Sequence, residues 1–136
     1  MFTSCSFFSF PDKAKITDGF TNKRKKQIYD NCEVTIPNSA TFIDGYYLPS
    51  RDAVLYFLFE VPESDFELMI SENWKKDFEP PESAKISNPS DFKDYDFIIQ
   101  YSIIGVPERN TAFLLCTESV EGKMTVLLRI WRPKYH

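Results

Sequence analysis

RDAVLYFLFEVPESDFELMISENW, residues 51–74, encodes a strand and then a helix with almost nothing between them. Residues 53–61 are apolar except for Glu60. Leu55, Phe57, Phe59 and Val61 alternate with Val54, Tyr56, Leu58 and Glu60, so a strand here is apolar on both faces. Such a strand is an interior one, covered on both sides or nearly so. Burying each of its large side chains contributes roughly 1.5–3 kcal/mol before entropy. Pro62 stops the strand. Ser64-Asp65-Phe66-Glu67 then matches a capping box, with Ser64 as N-cap and Glu67 at the third helical position. Glu63 and Asp65 suit the positive end of the helix dipole. Phe66, Met69, Ile70 and Trp74 follow at helical spacing and predict a core-facing stripe. Glu67 and Glu72 then face outward, and Lys75 and Lys76 suit the C-terminal end.

The rest of the chain completes a sheet around this unit. Upstream, residues 41–47 alternate loosely, Asp44-Gly45 is a turn signal, and residues 48–52 form a loop. Residues 41–61 thus read as two strands joined in a hairpin. Residues 33–36 read as a short strand ended by Pro37-Asn38-Ser39. Residues 13–31 are polar, and Phe20, Ile28 and Tyr29 suggest a helix capped by Thr21 or Asn22. Residues 1–10 hold four Phe, as a first strand or an arm laid on the core would. Downstream, residues 77–96 form a polar connection in which Pro80-Pro81 forbids regular helix. One helical turn fits residues 90–95. Residues 97–104, 111–120 and 124–131 read as strands, the last two joined by Glu121-Gly122-Lys123. Arg129 and Arg132 turn one face of the last strand toward water. The expected fold is α+β: one domain with an antiparallel sheet of five or six strands, packed with one or two helices.

Length and composition bound the function. At 136 residues the chain can build one real core. No apolar run reaches the roughly 18 residues that span a bilayer. The net charge of −4 is unevenly spread. Residues 60–96 carry eleven acids and four bases, and the remainder is net positive. An acidic middle argues against nucleic acid as partner and suits a basic protein. The run Lys23-Arg24-Lys25-Lys26 lacks interleaved aromatics and reads as a solvated helix face.

Catalytic groups are scarce. The single histidine is His136, which leaves no Ser-His-Asp or Cys-His arrangement and no histidine zinc site. No phosphate-binding or nucleophile-elbow motif is present. Asp91, Asp94 and Asp96 are a possible oxygen cluster for a divalent cation, but a solvated acidic loop explains them better. Cys5, Cys32 and Cys116 match no metal spacing. Cys116 reads as a buried thiol, and a Cys5–Cys32 disulfide is open only in an oxidising compartment. The expectation is a protein that is not an enzyme and that takes no cofactor and no metal. A small carboxylate-dependent enzyme stands as a further alternative, because a carboxylate pair is defined in space.

Ile36-Pro37-Asn38-Ser39-Ala40, then Asp52, then Phe59-Glu60-Val61-Pro62-Glu63-Ser64-Asp65-Phe66 form a pattern covering about a quarter of the chain. This pattern resembles one found in small bacterial immunity proteins of the contact-dependent growth inhibition type and in uncharacterised small bacterial lipoproteins. The first resemblance implies a cytoplasmic binding protein that neutralises a cognate protein toxin, such as a basic nuclease, by occluding its active site. The partner-binding residues expected from the acidic excess are Glu67, Glu72, Asp77, Glu79, Glu82, Asp91, Asp94 and Asp96. The second resemblance implies a cell-envelope domain, lipid-anchored through Cys5 of Thr3-Ser4-Cys5 in a longer precursor, with no membrane-spanning segment. Oligomeric state is not legible.

Overall fold

The computed structural model describes residues 14–49, 53–77, 92, 94–104, 111–131 and 133. Seven strands and two helices occur among them. They run β1 (Ala14–Lys15), α1 (Asn22–Cys32), β2 (Thr41–Leu48), β3 (Val54–Pro62), α2 (Glu63–Met69), β4 (Lys75–Asp77), β5 (Phe97–Ile104), β6 (Thr111–Thr117) and β7 (Lys123–Trp131). The strands form one sheet in the order β1-β2-β3-β7-β6-β5-β4, and every neighbouring pair is antiparallel. Two meanders, β1-β2-β3 and β4-β5-β6-β7, meet where β3 pairs with β7 along its whole length, from Val54↔Trp131 to Pro62↔Lys123.

β3 is interior, as its two apolar faces require. Leu55, Phe57, Phe59 and Val61 face the helices together with Met124, Val126, Leu128 and Ile130 of β7. Ile28 and Cys32 of α1, and Phe66 and Met69 of α2, close this core. The opposite face carries a smaller cluster of Tyr46, Val54, Tyr56, Leu58, Leu115 and Leu127, covered by Phe92 and Tyr95. The layers are therefore helices, sheet, and a cover formed by Phe92, Tyr95 and Phe97. A 3.1 Å bond from the Tyr95 N–H to the Phe92 carbonyl makes that cover a tight turn.

The sheet exceeds the expected five or six strands because β1 and β4 are edge strands of two and three residues. Elements that short carry no periodicity, and their pairing is imposed by neighbours. Asp44-Gly45 does not turn the chain. It lies inside β2 next to a bulge between Phe42 and Asp44. The short strand expected at residues 33–36 is a single bridge, Val34↔Ile70, which ties the ends of the two helices together.

α1 begins as its sequence indicates: the Thr21 hydroxyl accepts from the Arg24 N–H at 3.1 Å. It ends at Glu33, whose N–H still donates to the Tyr29 carbonyl and whose left-handed backbone (φ 58°) turns the chain out of the helix. α2 departs from expectation. The capping box does not form: Pro62 is the N-cap and makes no side-chain cap bond. The helix stops at Met69, because Ile70 turns extended to bridge Val34. Trp74 is buried but not helical, and its indole N–H donates to the Cys32 carbonyl at 2.8 Å. Lys75 and Lys76 belong to β4. Cys32 and Cys116 are free buried thiols, so Cys32 forms no disulfide. Residues 1–10, Arg132 and His136 lie outside the described residues. No described helix is long and apolar enough to cross a membrane.

Candidate functional site

α2 carries Glu63, Asp65 and Glu67, and it has an exposed apolar residue next to its C-terminal end. Phe66 and Met69 point into the core, which turns Glu63, Ser64, Glu67 and Leu68 outward. Leu68 is 80 % exposed. It is the one large apolar side chain that α2 leaves exposed. Beside it runs a shallow open groove of about 370 Å³. Thr35, Pro37, Asn38 and Ser39 form one wall, and Asp65, Leu68 and Met69 form the other. The groove exists because the Thr35 N–H donates to the Met69 carbonyl at 2.8 Å, which fixes residues 34–39 alongside the helix. The Ser39 hydroxyl donates to Asp65 Oδ2 across it at 2.6 Å.

The α2 carboxylates divide by role. Glu63 accepts from the Ser119 hydroxyl at 3.0 Å, and Asp65 is taken by Ser39. Both also stand at the helix start, where the dipole favours them. Glu67 is exposed and has no hydrogen-bond or ion-pair partner among the described residues. Its charge, together with burial and Cys116, raises the pKa of Tyr101: burial is the largest cause, then Cys116, then Glu67. Glu72 is exposed in the turn after α2. Val120, 68 % exposed, lies in the β6–β7 hairpin, which is held to the start of α2 by the Glu63 N–H donating to the Gly122 carbonyl at 2.8 Å.

The other expected partner-binding residues lie elsewhere. Asp77 is half-buried at the edge of the sheet, where its two oxygens accept from Gln100 Nε2 at 2.8 Å and the Ser102 hydroxyl at 3.2 Å. Those bonds satisfy the buried Gln100 amide, so Asp77 acts within the sheet. Asp94 and Asp96 are exposed and flank Tyr95, in the cover on the face opposite the helices. Glu79, Glu82 and Asp91 fall outside the described residues. The carboxylates thus do not converge: Glu67 and Glu72 belong to the helix layer, Asp94 and Asp96 to the other side of the sheet.

The basic run on α1 is largely engaged within the fold. Arg24 donates to Gln27 at 2.7 Å, pairs with Asp18 at 3.3 Å and lies 5.9 Å over the Phe57 ring. Lys25 donates to Asn38 and Lys26 pairs with Asp30. Among the described residues, no group of three or more His, Cys, Asp or Glu gathers to hold a metal.

Leu68 and the groove were the features sequence reasoning missed. The signal for Leu68 was present: a helix that buries Phe66 and Met69 must expose position 68. The groove depends on the Val34–Ile70 bridge, a contact between distant segments that no local pattern announces. Compared with protein-family models, curated proteins and solved structures, the chain matches none.

Proposed function

We propose that this chain is a non-catalytic binding protein that neutralises a cognate bacterial toxin by laying the α2 surface over a basic active site of the nuclease kind. The observation that carries the reading is Leu68, an apolar side chain left in water between carboxylates and beside a groove. Hydrophobic anchors rimmed by complementary charge are how protein interfaces divide affinity from specificity. Glu67 and Glu72 would pair with active-site lysine or arginine and speed encounter, and Leu68 would seat against an apolar element of the toxin. The groove would take a side chain in return, with Asp65 and Asn38 at its wall. The acidic residues on the opposite face are left out of this contact.

The test is co-expression with the C-terminal domain encoded by the adjacent gene. Growth arrest by that domain should be relieved by this chain, and the two should co-purify. Leu68→Asp combined with Glu67→Lys should abolish both effects without lowering the melting temperature. Absence of any complex contradicts the function. A complex indifferent to these substitutions contradicts the site.

A further inference from the structure

The end of α1 and the turn after α2 meet along a continuous seam. The Thr35 N–H donates to the Met69 carbonyl, Val34 bridges Ile70, and the Trp74 indole donates to the Cys32 carbonyl. Glu33 stands in the middle of this seam. Its Oε1 takes two donors from the turn, the Ser71 hydroxyl at 2.7 Å and Asn73 Nδ2 at 3.0 Å. The Ser71 hydroxyl oxygen in turn accepts from the Asn73 N–H at 3.2 Å. Glu72, which is exposed, lies between the two residues that Glu33 holds.

Locally, glutamate is a poor choice for this position. The backbone is left-handed (φ 58°, ψ 37°), a conformation that glycine adopts without steric cost. The carboxylate also stands at the negative end of the α1 dipole. The last turn of α1 has no basic residue, and no described lysine or arginine pairs with Glu33. A residue held in an unfavourable conformation by its surroundings points to a role for its side chain. Here both side-chain bonds go to the 71–73 turn, and a charged acceptor makes them stronger than neutral ones. The Val34–Ile70 bridge lies on one side of that turn and the Trp74 indole on the other, and its own three residues are exposed or half-buried. Such a segment can open while the sheet and both helices stay folded. We propose that Glu33 is a positioning residue: its carboxylate latches the 71–73 turn onto the end of α1 and so fixes where Glu72 is presented after α2. The latch stands on its own contacts; only its consequence for binding rests on the toxin-binding reading.

Amide hydrogen exchange of the full chain reads the latch, because the Trp74 N–H closes the turn on the Ser71 carbonyl at 3.1 Å. In Glu33→Gly that amide should exchange roughly tenfold faster, the loss expected for a charge-assisted bond. Val126 and Leu128, buried in the sheet, should keep their rates. The melting temperature should stay near that of the unaltered chain, since glycine suits the left-handed backbone. Glu33→Gln keeps an oxygen for both donors and should restore most of the protection. Ser71→Ala with Asn73→Ala removes the donors instead, and should speed Trp74 exchange with no further change when Glu33→Gly is added. If Glu33→Gly unfolds the chain, this donor-side pair decides alone. Unchanged Trp74 exchange, or acceleration spread equally over Val126 and Leu128, overturns the latch. Against the toxin domain of the adjacent gene, Glu33→Gly should weaken binding about fivefold, the scale of one exposed ion pair, and should have no effect in a Glu72→Gln background. An effect that persists in that background overturns the positioning of Glu72. No complex with the unaltered chain contradicts the toxin reading instead, and the exchange rates still decide the latch.

Discussion

Three elements meet at Phe57. The side chain is fully buried on β3, the Phe20 ring before α1 lies 6.1 Å from it, and the Arg24 guanidinium of α1 lies over it. Phe57→Ala should cost about 3–5 kcal/mol in urea unfolding, a large share of the total stability of a domain this size. A cost below about 1 kcal/mol would show that α1 does not seat there. Across the hairpin, a Cβ added at Gly45 would sit 2.8 Å from the Tyr56 carbonyl oxygen and 3.2 Å from the Phe42 ring. The backbone of β3 cannot yield easily, so Gly45→Ala should lower stability despite its small size. The thiols give a pH signature. Burial raises Cys32 and Cys116 well above the ordinary 9.0, and it raises Tyr56 and Tyr101 above 10.0. Above those ordinary values the unfolded chain releases protons that the native state keeps. Stability is therefore fully present below about pH 9 and falls as pH rises beyond it. Melting temperature against pH should show that break, and Cys32→Ala with Cys116→Ala should move its onset toward the phenol range. Cys32 and Cys116 of the native protein should also resist thiol reagents that label them once the chain is unfolded.

The two helices separate local sequence from tertiary context. α1 obeys its own residues, so Thr21→Ala should cost about 1 kcal/mol through the lost cap. α2 does not. Its Ser64-to-Glu67 spacing is a sound capping signal, yet Pro62 ends β3 and the helix starts at Glu63, leaving Ser64 inside the first turn. Ser64→Ala should therefore change stability by no more than about 0.5 kcal/mol. A cost near that of Thr21→Ala would mean the box forms after all. The seven residues of α2 are fewer than a free helix needs. Burial of Phe66 and Met69 and the Val34–Ile70 bridge sustain it instead. The same division explains which strands were legible. β3 and β7 announce themselves through long apolar runs, and the β6–β7 hairpin through Glu121-Gly122, both with positive φ. β1 and β4 owe their existence to the strands they flank. They blunt the sheet edges with Lys15, Lys75 and Lys76, charges that discourage pairing with another chain.

At the scale of the molecule, the sheet parts the described carboxylates of the acidic stretch onto two sides. The sequence shows an acidic middle, and periodicity correctly turns Glu67 outward. What it cannot show is that Asp77 is consumed by Gln100 and Ser102, or that Asp94 and Asp96 lie across the sheet from α2. Those facts follow from β4 pairing at the far edge of the sheet while Phe92 and Tyr95 pack on the opposite face, contacts that no local pattern announces. The result is two faces of different chemistry: carboxylates around an exposed Leu68 on the helix side, and on the other Asp94 and Asp96 together with Arg129, which has no carboxylate partner among the described residues. Association through the helix side should weaken with salt, since its charges are exposed. The decisive measurement is the affinity for the neighbouring gene's toxin domain of a Glu67→Lys/Leu68→Asp/Glu72→Lys variant, read beside its melting temperature. Binding should fall by about two orders of magnitude or more, roughly the loss of one anchor with its flanking charges, at an unchanged melting temperature. Unreduced binding by a folded variant would contradict the α2 assignment.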